Sequence, residues 1–294
     1  MASGKSSTGD ASLSPRLQAR DVTLAYDRRV IVDRLSVDIP DRSFTVIIGA
    51  NASGKSTFLS ALSRLLRPVG GHVYLDGRQI WKAPAREVAR KLGLLPQSSM
   101  TPDAVTVFDL VGRGRYPHRG FFRQWSEEDE AAVLSALEAT RTVDLAGRSV
   151  DELSGGQRQR VLLAMVLAQN TPILLLDEPT TYLDIAHQID LLDLLAELNA
   201  RGRTIVAVLH DLNQACRYAS HLVAMKEGAV AAHGRPGEII TERLVADVFG
   251  LACIIIPDPV SGTPLIVPKG RQKTLAEVSV RSPERPSWIH SNSL

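Results

Sequence analysis

The sequence has 294 residues, of which 44% are hydrophobic and 22% are charged, and its formal net charge is +2. These values are ordinary for a globular protein with one large domain or two small ones, and the charge is too close to neutral to favour a nucleic-acid binder. The two cysteines, Cys216 and Cys253, lie too far apart in the chain to suggest a disulfide framework or a metal-binding pair, which suits a reducing compartment.

No segment of the sequence predicts a transmembrane helix or a signal peptide. The longest clean apolar run, residues 161–168, is far shorter than the roughly 18 residues that a spanning helix needs. The first nine residues contain no apolar core of the kind that signal peptides have. Any membrane role is therefore expected to depend on a partner.

The N-terminal part of the chain predicts a short tail followed by β-structure. Residues 1–17 are rich in Ser, Gly and Ala and are expected to be disordered. Apolar residues alternate over residues 17–38, which predicts antiparallel strands with a turn at residues 27–29. The β-branched and aromatic run at residues 44–48 then predicts a buried strand.

The residues after this strand fit the phosphate-binding pattern G-x-x-x-x-G-K-[ST]. They are Gly49, Ala50, Asn51, Ala52, Ser53, Gly54, Lys55 and Ser56, with Thr57 opening a stretch of helical apolar spacing. The two glycines permit a tight turn, and the N–H groups of the loop and of the helix face an anion. We expect Lys55 to reach the β- and γ-phosphates and the Ser56 hydroxyl to contact Mg²⁺. The alternative, a glycine-rich turn with a chance Lys-Ser pair, does not explain the flanking strand and helix.

The middle of the chain predicts an insertion that is mostly helical. A short strand at residues 72–75, a helix at 85–92 and an extended stretch at 92–95 lead to Pro96 and Gln97. Residues 98–162 then change character: a polar loop, a short apolar segment, an irregular basic and aromatic stretch, and a helix capped by Ser126. We predict that this region is a helical subdomain inserted into an α/β core.

The remaining sequence alternates buried strands with helices. Strands are predicted at residues 173–176, 204–209 and 222–225, and helices at 185–198 and 211–220. This order predicts a mostly parallel sheet, so the fold class is α/β. Residues 269–294 are expected to be a flexible tail.

Polar residues follow three of the predicted core strands directly. They are Gly49, the pair Asp177 and Glu178, and His210. Ligands bind beyond the carboxyl ends of parallel strands, so we expect these groups to converge on one nucleotide. Asp177 is a candidate to anchor Mg²⁺, Glu178 is the candidate general base, and His210 is expected to bond the γ-phosphate. For His210 the alternative is an ordinary core histidine.

A second anion site is predicted at the start of the helix that follows Leu153. Its residues are Ser154, Gly155, Gly156 and Gln157. The serine and the glutamine three residues later form a capping box, and the helix N-terminus presents free N–H groups. One nucleotide hardly needs two such sites from one subunit, so we expect this end to meet the γ-phosphate held by a second copy. The alternative is an ordinary helix start, which leaves the paired glycines unexplained.

Taken together, these motifs resemble those of the ATP-binding-cassette (ABC) ATPases over about residues 18–268. The phosphate loop resembles Walker A, residues 173–177 resemble Walker B, and residues 153–157 resemble the signature motif. The resemblance implies further roles: Glu178 as the catalytic glutamate, Gln97 as the Q-loop glutamine that contacts the reaction centre and the metal, Asp184 as the D-loop aspartate, His210 as the switch histidine, and Tyr26 as the aromatic residue that stacks on adenine. It implies ATP and Mg²⁺ as cofactors and a P-loop NTPase core.

A narrower resemblance is to the ATPase subunits of bacterial iron(III)-siderophore importers. It rests on residues 114–118, 125–129, 180–188 and 256–264. Related cobalamin and haem importers share much of this sequence. It implies a homodimer at the cytoplasmic face of the membrane, bound to integral membrane permease subunits and served indirectly by a siderophore-binding protein, with no nucleic acid. Residues 113–122 are either part of the groove that receives the permease or a solvated basic loop.

Other classes remain open at this point. They are a non-transport ABC ATPase of DNA repair or translation and a small-molecule kinase that uses the same loop. No sustained heptads separate Lys55 from Ser154, only one cassette is present, and a kinase would not need the Ser154 motif.

Overall fold

The computed structural model describes residues 15–97, 104–120 and 125–270. The strands are β1 Leu17–Tyr26, β2 Arg29–Ile39, β3 Phe44–Gly49, β4 Gly70–Leu75, β5 Arg78–Gln79, β6 Leu92–Leu95, β7 Ile173–Asp177, β8 Thr204–Val208, β9 His221–Lys226, β10 Ala229–Gly234, β11 Cys253–Pro257 and β12 Pro264–Pro268. The helices are α1 Lys55–Leu62, α2 Ala85–Ala89, α3 Val107–Gly112, α4 Glu127–Ala139, α5 Gly155–Ala168, α6 Ile185–Ala200, α7 Leu212–Tyr218, α8 Pro236–Ile239 and α9 Glu242–Phe249.

A six-stranded sheet forms the centre of the fold, in the order β10-β9-β3-β8-β7-β6. All neighbours pair in parallel except β10 with β9. Every residue of β3, β7 and β8 is buried, as expected for strands covered on both faces. Because these strands run in parallel, their carboxyl ends meet at one edge of the sheet.

The two faces of this sheet pack against different layers. Val46 and Ile48 belong to a core shared with α3 to α7, whereas Ile47 belongs to a core shared with α1 and the N-terminal strands. This division follows from the alternation of side chains along β3. The α/β fold class and the mostly parallel sheet are confirmed.

The N-terminal strands form the predicted antiparallel sheet, in the order β2-β1-β4-β5. The predicted tail boundary at residue 17 needs correction, because Leu17 is already paired and buried in β1. Arg16 also donates to Asp76 at 2.7 Å. Residues 1–14 lie outside the described part of the chain.

The inserted region contains α3, α4 and the start of α5, which pack on one another. Its predicted end at residue 162 falls inside α5, which continues to Ala168 and packs on β6. The helix predicted at residues 85–92 is shorter, since it ends at Ala89 and Leu92 already pairs with Ile173 in the sheet. The predicted polar loop at 98–103 lies outside the described residues.

The C-terminal strands β11 and β12 form a hairpin that packs on α7. The helix predicted at residues 211–220 is α7, which is shorter because Asp211 is its N-cap. The predicted tail boundary at residue 269 is early, because the Lys269 N–H donates to the Ala252 carbonyl at 2.8 Å. Residues 271–294 lie outside the described part. Within the described residues, no helix has the length and apolar character to cross a membrane.

Candidate functional site

The phosphate loop connects β3 to α1 at the carboxyl edge of the sheet. A Cβ on Gly49 would lie 2.3 Å from the Met225 carbonyl oxygen, so only glycine lets the loop leave β3 this close to β9. Gly54 has φ +95° and is the N-cap of α1, a left-handed position that favours glycine. The sequence therefore folds here into the strand, loop and helix that the pattern predicted.

Lys55 is folded back onto this loop. Its Nζ donates to the carbonyl oxygens of Gly49 and Ala50, both at 2.9 Å, and the residue is buried. Burial lowers the pKa of Lys55, and the negative charges of Glu178 and Asp177 oppose that effect. A buried ammonium beside a helix N-terminus is a strong attractor for a phosphate.

Ser56 and Asp177 form a pair of hard oxygen donors. The Ser56 Oγ donates to the Asp177 Oδ1 at 2.9 Å. Burial raises the pKa of Asp177 and Glu178 raises it further, while the Ser56 hydrogen bond and the Lys55 charge oppose this. The described residues contain no cluster of three or more His, Cys, Asp or Glu side chains that could hold a metal alone. The pair therefore fits Mg²⁺, which usually binds one or two protein oxygens together with phosphates and water.

Both carboxylate oxygens of Glu178 have a close polar neighbour. The His210 Nε2 lies 2.6 Å from Oε1, and the Gln97 Nε2 donates to Oε2 at 3.0 Å. Glu178 has φ +51°, so the backbone leaves the extended conformation directly after Asp177, and the two carboxylates have different partners. The structure thus brings together Gln97, Glu178 and His210.

These groups line one cleft of about 400 Å³. Its lining residues are Asn51, Ala52, Ser53, Gly54, Lys55, Ser56, Thr57, Gln97, Glu178 and His210. The convergence of the loop, the carboxylate and the histidine is as expected, and the catalytic role of each residue stays a prediction.

Ser154, Gly155, Gly156 and Gln157 do not line this cleft. The capping box is present: the Gln157 N–H donates to the Ser154 Oγ at 3.3 Å, and the Ser154 N–H donates to the Gln157 Oε1 at 3.0 Å. The paired glycines lie against the turn after Glu178, where a Cβ on Gly156 would be 3.3 Å from the Leu183 side chain. Close packing against Leu183 thus favours a small residue at Gly156, and the anion site at the start of α5 stays a prediction.

Five further predicted residues also lie outside the cleft lining: Gly49 and Ala50 at the start of the loop, Asp177, which contacts the lining residue Ser56, and Asp184 and Tyr26. Asp184 caps α6 and accepts from the His187 N–H at 2.9 Å. Its Oδ1 also lies 2.7 Å from the His187 Nδ1. Tyr26 ends β1 at the tip of the β1–β2 hairpin with half of its surface exposed. Its stacking on adenine stays a prediction.

Sequence reasoning missed the residues that hold the turn after Glu178. The Thr181 Oγ1 donates to the Glu178 Oε2 at 3.4 Å, and Gln188 and Gln214 form a hydrogen bond to each other at 2.9 Å. Thr181 lies three residues beyond Glu178, which is the spacing of a turn, and this is the one signal for it in the sequence. The Gln188–Gln214 contact joins two helices and leaves no pattern in the sequence.

The basic and aromatic segment forms a groove of about 600 Å³ beside α3. Arg113, Tyr116, Arg119 and Trp125 are among its lining residues. The Arg119 guanidinium lies over the Trp125 ring, 4.5 Å from its centroid, and Tyr116 is 59% exposed. Residues 121–122 of the predicted groove lie outside the described part.

Comparisons with known proteins agree with this geometry. A family model described as "ABC transporter" matches residues 32–181. The ferric enterobactin transport ATP-binding protein FepC of Escherichia coli (strain K12) is 58% identical over 257 residues, which are 87% of this chain and 95% of FepC. The siderophore transport system ATP-binding protein YusV of Bacillus subtilis (strain 168), whose name is qualified as probable, is 53% identical over 262 residues, 89% of this chain and 95% of YusV. The solved dimer of MJ0796, a bacterial ABC transporter cassette, is 30% identical with a TM-score of 0.68, covering 74% of this chain and 98% of MJ0796.

Proposed function

The chain belongs to the ABC transporter family, and we propose that it is the ATP-hydrolysing subunit of an importer for ferric siderophores. The observation that carries the ATPase activity is the convergence of the phosphate loop, Glu178 and His210 in one cleft, next to the Ser56–Asp177 pair. The cargo assignment draws on FepC and YusV, whose names state ferric enterobactin and siderophore transport.

In this proposal the phosphate loop binds ATP through charge and backbone donors. The Lys55 ammonium and the N–H groups at the start of α1 hold the phosphates, and Tyr26 stacks on adenine. The Ser56 hydroxyl and the Asp177 carboxylate would hold Mg²⁺, with the Gln97 amide as a further ligand through its oxygen. When bound, Mg²⁺ neutralises negative charge on the phosphates.

Glu178 acts as the general base. Its carboxylate accepts a proton from the attacking water, and this contributes roughly a hundredfold or more to the rate. The hydrogen bond from Gln97 and the close contact with the His210 ring orient the carboxylate. His210 then bonds the γ-phosphate, so its partner changes during the reaction cycle.

Each composite site needs two copies of the chain. Ser154 and the N-terminus of α5 do not line the cleft of their own subunit, so they are available to the γ-phosphate held by a second copy. Asp184, at the start of α6, completes the contact between copies. ATP thereby joins the two subunits, and hydrolysis separates them.

The groove beside α3 receives a permease subunit. Its exposed Tyr116 and its Arg119–Trp125 stack offer an aromatic and cationic surface to a helix of the permease. The alternative, a solvated basic loop, does not explain the exposed aromatic rings. The subunit then works peripherally at the cytoplasmic face of the membrane, and a siderophore-binding protein acts on it only through the permease.

The experiment that tests the function is uptake in cells that lack the gene. We expect deletion to abolish uptake of radiolabelled iron presented on a siderophore and to leave the use of cobalamin and haem intact. Re-expression of the wild-type chain restores uptake, and re-expression of Lys55→Ala does not. Intact siderophore uptake with lost cobalamin or haem uptake would contradict the cargo assignment but not the importer function. The absence of any transport defect would contradict both.

A further inference from the structure

Two glutamines join the helices that follow the strands of Glu178 and His210. The Gln214 Nε2 on α7 donates to the Gln188 Oε1 on α6 at 2.9 Å. The Gln188 Nε2 donates in turn to the carbonyl oxygens of Leu183 at 3.0 Å and Thr180 at 3.4 Å. The two carbonyls accept only, so they fix the amide nitrogen of Gln188 toward them and its oxygen toward Gln214. We call this run of hydrogen bonds, from Gln214 through Gln188 to the two carbonyls, the bridge. All of its donors point in the same direction, from α7 toward the turn before α6.

One end of this bridge holds the turn that follows Glu178. The Thr181 N–H donates to the Glu178 carbonyl, and the Thr181 hydroxyl donates to the Glu178 carboxylate. The turn contains Tyr182 at φ +68° and ends at Asp184, the N-cap of α6. Gln188 donates to two carbonyls of this turn. It therefore fixes the backbone between Glu178, the proposed general base, and Asp184, which is predicted to face the second copy.

The other end of the bridge lies one turn into the helix that follows His210. The Asp211 carboxylate caps α7 by accepting from the N–H groups of Asn213 and Gln214. The same helix is held on the C-terminal hairpin by the Asn213 amide, which accepts from the Ile266 N–H at 2.7 Å and donates to its carbonyl at 3.3 Å. Helix α7 is thus held by Gln188 on one side and by the C-terminal hairpin on the other. A shift of Gln214 would therefore move the start of α7, and His210 would move with it.

From these contacts we propose that Gln188 and Gln214 are positioning residues that set His210 against Glu178 and transmit the arrangement of the Asp184 turn to His210. The proposal rests on the proposed ATPase function and deepens it. Neither glutamine lines the cleft, so both act through other residues. Replacing Gln188 by glutamate would place carboxylate oxygens against two carbonyl oxygens, so the amide is required at this position.

The test is a double-mutant cycle on the full chain with its permease. We expect Gln188→Ala and Gln214→Ala each to lower kcat by about tenfold, within the range measured for residues that couple sites, with KM for ATP changed by less than about twofold. The double variant should lose no more than Gln188→Ala alone, because that variant already removes the bond to Gln214 together with the bonds to the Leu183 and Thr180 carbonyls. Gln188→Glu should behave as Gln188→Ala does. Glu197→Ala, at an exposed position of the same helix, is the matched control and should keep the wild-type kcat.

The proposed role of the bridge would be contradicted if the kcat of the double variant fell by the product of the two single losses. A raised KM with unchanged kcat would contradict it as well. A second readout does not require hydrolysis: amide hydrogen exchange over residues 209–214 should quicken in Gln188→Ala, although the substitution lies on α6. Unchanged exchange there would also overturn it. A wild-type chain without ATPase activity would instead overturn the proposed function, and the exchange experiment would still decide the bridge.

Discussion

The Nε2 of His210 lies 2.6 Å from the Oε1 of Glu178. This contact joins two residues that follow neighbouring strands, since Glu178 comes directly after β7 and His210 comes two residues after β8. The other carboxylate oxygen accepts from Gln97, which follows β6. The Glu178 carboxylate, the proposed general base, therefore contacts residues that follow two other strands, and we expect a substitution of either residue to shift it.

The first prediction concerns the division of each site between two copies. Mixing Lys55→Ala subunits with Ser154→Arg subunits gives mixed dimers in which one site loses both elements and the other keeps both. If the subunits pair at random and one intact site suffices, about a quarter of the wild-type ATPase activity should return. The measurement is steady-state hydrolysis of the mixture and of each variant alone.

The control for this experiment is a mixture of Lys55→Ala with Glu178→Gln. Both residues lie in the cleft of the same subunit, so each mixed dimer has a defect in both sites and the mixture should stay inactive. Equal inactivity of both mixtures, with mixed dimers demonstrated by affinity tags, would contradict a shared site.

The second prediction concerns the loop backbone at Gly49. An added Cβ would lie 2.3 Å from the Met225 carbonyl oxygen and 2.6 Å from the Ser53 Oγ, so the loop must shift. We expect Gly49→Ala to destabilise the fold by about 2 kcal/mol and to weaken nucleotide binding. Gly147→Ala is the matched control, because a Cβ there meets nothing within 4 Å. Thermal unfolding and ATP titration of both variants measure the effect; equal behaviour of the two would refute it.

The third prediction concerns a buried ion pair in the helical region. The Arg115 Nε donates to the Asp129 Oδ1 at 2.9 Å, and both side chains are about 95% buried. Arg115→Leu removes the nearest charge partner of the buried Asp129 carboxylate and leaves the Arg119 Nε at 4.0 Å, so we expect a loss of about 3 kcal/mol at pH 7. Arg141→Leu breaks an exposed pair with Asp190 at the same distance and should cost less than about 1 kcal/mol. Similar losses for the two variants would contradict this account.

The same pair has a defined pH dependence. Burial alone would raise the pKa of Asp129, but the hydrogen bonds from Arg115 and Ser126 outweigh burial and lower it. A depressed folded pKa stabilises the protein above the unfolded value of about 3.9, and the contribution is lost as the pH falls through the folded value. The contribution of Asp129 to the difference in melting temperature between wild type and Arg115→Leu should therefore persist from pH 7 to about 4 and be lost only as the pH falls further. A difference that stays constant below about pH 3.9 as well would mean that charge is not the cause.

Much of the site was predictable because its residues follow strands directly. Asp177, Glu178 and His210 each come at the end of an apolar run, and parallel strands bring such ends to one edge. The phosphate loop was predictable because its glycines, its lysine and its serine are contiguous in sequence. The α/β class followed from the same alternation of strands and helices.

Other features depend on contacts that no local pattern reveals. The left-handed backbone of Glu178 carries no glycine signal. Leu17 belongs to the fold because it pairs with Ile39 in β2 and with Leu75 in β4. Neither partner is close to it in the sequence. The bridge from Gln188 to Gln214 spans 26 positions and two helices, so only the packed structure reveals it.

The most direct test of the central claim is ATP turnover by Glu178→Gln. The substitution keeps the size of the side chain and removes the charge that accepts a proton from water. We predict that turnover falls by about two orders of magnitude or more, while ATP still binds with near-wild-type affinity because the Lys55 loop is unchanged. Near-normal turnover in this variant would contradict the assignment of Glu178 as the general base, and with it the mechanism proposed for the cleft.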